Sequence, residues 1–239
     1  MRRRLHKISR SMVDSTESGF PTTLPSTIKA VFVDLDNTLY EHDSCHEKAM
    51  QSCFTLYQKN HQKELSWNRF ETYYQIGRKA VQKQLLPQGV ARSRLLYFQS
   101  MLEALEHPHA FNVALELDAE YMRAFLCSMS LDPNAQSFLK ICKKTMRPVC
   151  IITNLTTAFQ IKKLQKLKIT PYIDYLVTSE EAGIEKPAPS FFHYAIKKVN
   201  RYQKVPLEAK NILVLGDNIE NDINGAKKLG MPSQHITLT

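Results

Sequence analysis

Short apolar runs alternate with amphipathic stretches along most of this chain. The runs fall at 30–33, 148–152, 175–178, 212–215 and 235–238, and their length and composition read as buried strands. Between them, 134–146, 156–167, 190–199 and 221–229 carry helical spacing. In 134–146 the apolar positions are Phe138, Leu139, Ile141 and Cys142; in 156–167 Phe159, Ile161, Leu164 and Leu167 are expected to form one stripe. Ser190 and Asn221 open the last two helices as N-caps. Strands alternating with helices predict parallel pairing and an α/β fold.

The stretch 44–129 breaks this rhythm. It holds no strand pattern and four helical segments, near 45–60, 66–85, 91–106 and 115–129, punctuated by Pro87, Gly89 and Pro108. The expected organisation is a Rossmann-like parallel sheet core, 28–43 and 130–239, with an all-helical cap inserted at 44–129. Crossings between the two are expected at 41–43 and near 130. Residues 1–27 read as a tail: basic, then rich in Ser, Thr and Pro, without the apolar stretch of a secretory signal. A disordered tail, an organellar targeting peptide and an upstream start ahead of Met12 all fit that composition.

Composition narrows the class. A hydrophobic content of 43% and a charged content of 23% are those of an ordinary globular protein. No apolar run approaches the ~18 residues of a membrane span, and the expected location is the cytoplasm. The formal charge of +9 is inflated by five basic residues among the first ten; without them 27 bases face 23 acids. With no aromatic-and-basic recognition motif, nucleic acid is not the expected partner. The five cysteines form no CxxC pair and imply neither a disulfide framework nor a zinc knuckle.

In open parallel sheets, ligands bind beyond the carboxyl ends of the strands. The first run is followed by Asp34 and Asp36, and 148–152 by Thr153 and Asn154. The loop after 175–178 carries Lys186, and 212–215 leads to Asp217, Asn218 and Asp222. Singly, each has a plainer reading: a chance D-x-D, a strand end, a surface lysine, a helix cap. Together, at successive strand ends, they would converge. Three carboxylates in one pocket need compensation, which Lys186 and a divalent cation would supply, and hard oxygen donors with room for water suit Mg²⁺. Such a pocket is suited to a phosphoryl group. Asp34 then serves as nucleophile, and Asp36, two residues on, as general acid and base with a pKa raised by the anionic crowding.

The stretches "DLDNT", "ITN", "EKPAPSFF" and "GDNIENDINGA" resemble, in order and spacing, the four motifs of the haloacid dehalogenase superfamily. The helical block falls where capped members carry theirs. The resemblance implies an aspartyl-phosphate on Asp34 and acid/base work by Asp36. It implies phosphoryl binding by Thr153 and the amide of Asn154, and charge neutralisation by Lys186. The metal site would comprise Asp34, Asp217 and the carbonyl of Asp36, with Asn218 and Asp222 in its outer shell. An acid at the position of Asp36 points to phosphate and away from carbon–halogen cleavage. Further likeness to pyrimidine nucleotidases and N-acylneuraminate phosphatases implies a Mg²⁺-dependent phosphatase of a small phosphorylated metabolite, a nucleoside monophosphate or a sugar phosphate, acting as monomer or homodimer. A phosphomutase, or a regulatory protein that keeps the fold without turnover, are the alternatives.

Arg78, Lys79, Arg92 and Arg94 are the cap residues expected to meet a polar or anionic substrate, or else to be solvated helix faces. His42, Asp43, Cys45 and His46 match no established zinc spacing. His107 and His109 read as turn residues, and Trp67 and Tyr73 as cap core.

Overall fold

A computed structural model of the chain describes residues 19–61 and 64–238. The first 18 residues of the expected tail lie outside these. Residues 19–27 pack on the core: the Phe20 ring lies 5.3 Å from that of Phe138, and the Arg147 guanidinium donates to the carbonyls of Leu24, Pro25 and Ile28. The sequence reading carried the tail too far, because Ser, Thr and Pro masked two anchoring apolar residues, Phe20 and Leu24.

Among the described residues five strands form one parallel sheet: β1 (Ala30–Val33), β2 (Val149–Thr153), β3 (Tyr175–Thr178), β4 (Ile212–Gly216) and β5 (Ser233–His235). Their order is β3-β2-β1-β4-β5, so the first strand made is the central one. It pairs Val31 with Val149 on one side and with Leu213 on the other. Strand side chains alternate between faces. Val31, Val33, Ile151 and Leu215 enter a core shared with α5 (Pro133–Lys144) and α6 (Thr157–Lys166). Phe32, Ile152 and Val214 face the opposite core, filled by Phe191, Phe192 and Ala195 of α8 (Pro189–Asn200), which follows the one-turn α7 (Ser179–Ala182). With both faces covered, the strands read as unbroken apolar runs.

Two expectations shift. The last strand sits at Ser233–His235 rather than 235–238, because the ladder follows β4, which ends at Gly216, and not the greasiest residues. The segment 221–229 is not one α-helix. A wide π-turn, Ile219–Asn224, capped by the Asn218 side chain, leads into the short α9 (Gly225–Lys227).

Between β1 and α5 stand four helices: α1 (His42–Asn60), α2 (Trp67–Leu85), α3 (Arg94–Ala104) and α4 (Ala110–Ser128), with a 3₁₀ turn at Gly89–Arg92. Ser66 and Ser93 cap α2 and α3. Helix α1 packs on α4, α2 on α3, and α3 on α4. Trp67 packs with Phe54 and Phe70. The segments that lead into and out of these four helices are tied together where the Asp132 amide donates to the Leu39 carbonyl, 2.9 Å.

At Gly77 the α2 and α3 backbones meet: a Cβ there would lie 2.6 Å from the Met101 nitrogen and the Tyr97 carbonyl oxygen. Gly77→Ala is therefore expected to cost about 1–3 kcal/mol of stability, although alanine is the better helix former. Urea denaturation of the two forms measures it; equal midpoints would show that the helices do not meet so closely.

Candidate active site

The carboxyl edge of the sheet gathers the polar groups. Asp34 leaves β1, its amide donating to the Leu215 carbonyl, which holds it beside β4. It is buried, as are Lys186 and Asp222. Lys186 Nζ lies 2.7 Å from Asp34 Oδ1, 2.6 Å from Asp222 Oδ1 and 2.9 Å from the Ile152 carbonyl oxygen. One ammonium thus serves two buried carboxylates. Its three donors are all used. The Asn154 side chain fixes the backbone beneath it, accepting from the Lys186 amide at 2.8 Å and donating to the Lys186 carbonyl at 2.9 Å.

Asp222 fits only because residue 216 is glycine: a Cβ at Gly216 would stand 2.4 Å from its carboxylate. The π-turn brings Asp222 back over β4, and its other oxygen accepts from the Asn218 amide at 3.2 Å. Thr38 ties Asp34 to Asp217, donating to Asp34 Oδ2 at 3.0 Å and accepting from the Asp217 amide at 3.1 Å. Ligand oxygens of Asp34, Asp217 and Asp222 all lie within 4.8 Å of one another. Burial pushes the Asp34 carboxyl well above the usual range; Lys186 opposes this, and three neighbouring acids add to it. Burial and then Asp222 likewise raise Asp217. An excess of hard oxygen donors over one lysine is a donor set that fits a divalent cation. Asp222, read from sequence as an outer residue, belongs to this inner group by distance while remaining bound to Lys186.

The side chain of Asp36 does not join that group. It turns toward α6, where Lys163 Nζ lies 2.7 and 3.0 Å from its two oxygens and Gln160 Nε2 donates at 3.3 Å; the Tyr40 hydroxyl also donates to it. Burial opposes its ionisation, but Lys163 and then His42 overcome that, and the carboxyl is held well below the usual range. The expected upward shift is therefore corrected: anionic crowding acts on Asp34, while a buried lysine governs Asp36. Lys163 is fully buried, its ammonium over the rings of Phe159, Phe125 and Tyr40 at 4.6, 5.1 and 5.7 Å. Gln160 also donates to the Thr153 hydroxyl, and Thr153 lines the cleft.

The sequence reading missed Lys163, Gln160 and Tyr40. It put Ile161 on the inward stripe of α6, yet Ile161 is 42% exposed. Strict 3.6-residue spacing from Phe159 selects Lys163 and sets Ile161 on the far side, so the signal was present.

Above these groups lies a cleft of about 240 Å³, lined from the helical block by Arg78, Gln82, Arg92, Arg94 and Tyr97. Lys79 is exposed and does not line it. Arg92 makes a bidentate pair with Glu185, 2.8 Å for each bond, and so joins the block to the loop that carries Lys186. His42, Asp43, Cys45 and His46 do not gather as a metal-holding group among the described residues; His46 instead bonds the Tyr121 hydroxyl at 2.7 Å.

A haloacid dehalogenase-like hydrolase family model matches residues 28–230, which takes in every group just described. The chain belongs to this hydrolase family. It is 34% identical to the ribulose-1,5-bisphosphate 5-phosphatase of Halopiger xanaduensis over 84% of this chain and 82% of that one. It is 25% identical to human N-acylneuraminate-9-phosphatase, covering 86% and 81% respectively. Among solved structures, the magnesium-bound HAD-hydrolase YfnB of Bacillus subtilis superposes with a TM-score of 0.64 at 18% identity, over 86% of this chain and 87% of that one, a likeness of fold. Among the described residues, no helix of this hydrolase is long and apolar enough to cross a membrane.

Replacing Lys163 by Met is expected to cost about 2 kcal/mol at pH 7, below the 3–5 kcal/mol of a fully buried pair, because the Asp36 side chain is 23% exposed. Asp36 has a depressed folded pKa, so its contribution is present above its unfolded pKa near 3.8 and is lost as pH falls through the folded value. The gap between wild type and Lys163→Met should therefore narrow below about pH 4. Denaturation across pH 3–7 tests this, and a gap independent of pH would refute it.

Proposed function

We propose that this hydrolase is a phosphatase that releases inorganic phosphate from a small phosphomonoester through an aspartyl-phosphate on Asp34. The observation that carries the reading is Asp34 itself, a buried carboxylate facing Lys186 and Thr38 with two further acids within ligand-sharing distance. The phosphatase names of the relatives support it. The side chains of Asp34 and Asp217 and the carbonyl of Asp36 would hold Mg²⁺, with Asp222 fixing Lys186 beside them. When bound, the cation offsets charge on the carboxylates and on the phosphoryl group.

In the first half-reaction an Asp34 oxygen forms a bond to phosphorus as the ester P–O bond breaks. The leaving oxygen takes a proton from Asp36. In the second, Asp36 removes a proton from water, the water oxygen bonds to phosphorus, and the Asp34–phosphorus bond breaks. Lys163 favours the ionised Asp36 that the second half needs. The proton that Asp36 takes from water in the second half is the one it gives to the leaving oxygen of the next substrate, and carrying it requires the contact with Lys163 to open. Thr153 and the backbone amide of Asn154 hold the phosphoryl oxygens, and Lys186, whose three donors are spent on Asp34, Asp222 and the Ile152 carbonyl, offsets their charge from beside them. The helical block 44–129 acts as a cap over the cleft, and the Arg92–Glu185 pair is a point where it meets the core. Nucleoside monophosphates and sugar phosphates both fall within this reading.

Phosphate release from p-nitrophenyl phosphate and from a panel of phosphorylated metabolites should require Mg²⁺ and stop with a chelator. Asp34→Asn should lower it about 10³-fold or more. Mg²⁺-dependent activity that survives this substitution would exclude Asp34 as the nucleophile.

A further inference from the structure

The cap side of the cleft carries more positive charge than one phosphoryl group needs. Arg78 and Gln82 lie one turn apart on α2, and Arg94 and Tyr97 one turn apart on α3. The close approach at Gly77 brings the two helices together beside Arg78. The resulting wall presents Arg78, Arg92 and Arg94 to the cleft and no carboxylate of its own. Arg92 is committed to Glu185. Among the described residues Arg78 and Arg94 form no ion pair, and Asp118, within the field of Arg94, does not bond it.

Arg94 is further set apart. Its Nε is buried without a hydrogen-bond partner, and its guanidinium rests over the rings of Tyr97 and Tyr121 at 5.4 and 5.3 Å. A buried guanidinium donor left open is costly unless a ligand meets it. The positive field also reaches the neighbouring ring: burial, then Arg94, His42 and Arg78, push the His46 imidazole down to about 3.

On the acidic side both lysines are already engaged, and four carboxylates, Asp34, Asp36, Asp217 and Asp222, outnumber them. Lys186 answers Asp34 and Asp222, and Lys163 answers Asp36. Among the described residues the cleft has no stacking platform for a nucleobase. Its rings are His42, packed on Phe125, and Tyr97, which is fully buried and spends its hydroxyl on the Ala91 carbonyl and Gln82. Its volume of about 240 Å³ lies below that of drug-sized ligand sites.

We infer that Arg78 and Arg94 form a second anion subsite, and that the substrate is a small phosphomonoester carrying a second anionic group, phosphate or carboxylate, at its far end. The inference rests on the phosphatase reading above. Guanidinium forks suit both groups.

Calorimetry on Asp34→Asn with Mg²⁺, using four probes, separates the possibilities without turnover. The probes are a pentose 5-phosphate, the matching pentose 1,5-bisphosphate, a 5-phosphorylated aldonic acid and a nucleoside 5′-monophosphate. At least one of the two doubly anionic probes should bind about tenfold or more tightly than the pentose monophosphate, and which one does so identifies the second group. Arg78→Gln and Arg94→Gln should each collapse that ratio, while Lys79→Gln, outside the cleft, should leave it. Equal binding of mono- and doubly anionic probes would overturn the subsite. So would tightest binding of the nucleotide, or equal losses for all probes in the arginine variants, which would assign the arginines to the scissile phosphate. Loss of p-nitrophenyl phosphate hydrolysis by wild type would instead strike the phosphatase reading, so the two failures are distinct.

Discussion

Two buried carboxylates share one ammonium at the carboxyl edge of this sheet, and the surrounding structure is arranged around that fact. Removing Lys186 would leave Asp34 and Asp222 uncompensated in a site that water barely reaches. The neighbouring oddities follow from keeping the lysine in place. The Asn154 amide grips its backbone from both sides, a glycine at 216 leaves room for the second acid, and a widened turn after β4 delivers that acid from the right direction. Thr38 then closes the group by bonding both Asp34 and Asp217. The local cost of each device is offset by both faces of the sheet being filled with apolar side chains.

Asp34 and Asp36 are two residues apart, yet they live in different electrostatic worlds. Asp34 is buried among acids, and its carboxyl rises against the pull of one shared lysine. Asp36 faces a lysine of its own, boxed in by aromatic rings, and its carboxyl falls. Divergent environments push the pKa values of neighbouring carboxylates apart, the arrangement by which one short segment can divide two roles. One of the rings around Lys163, Phe125, belongs to α4, so the helical block helps to set the surroundings of Asp36 as well as roofing the cleft.

Most of the sheet was legible in the sequence, because strands covered on both faces appear as short continuous apolar runs, and the groups after them were legible from topology. The strands at 30–33 and 175–178 match residue for residue. What failed did so for physical reasons. The edge strand β5 is placed by its ladder to β4 and not by hydrophobicity. The turn after β4 takes π geometry because the Asn218 carbonyl accepts amides at both 222 and 223. Lys163 escaped notice because lysine is read as solvent-facing, although helical phase pointed it inward. The direction of the Asp36 side chain depended on that unseen lysine, and alternation along an extended segment could not supply it.

The central place of β1 has a consequence for how the protein is made. Lys186 meets Asp34 across 152 residues of chain, and Thr38 meets Asp217 across 179. The middle strand leaves the ribosome first, and its neighbour β4 arrives near the end of the described chain. The helices between β1 and α5 close over contacts nearer in sequence and are free to collapse sooner. A nascent chain therefore carries Asp34 for most of synthesis without Lys186, Asp217 and Asp222. Fragments that stop short of β4 lack Asp217 and Asp222, so the cluster at the sheet edge is completed late.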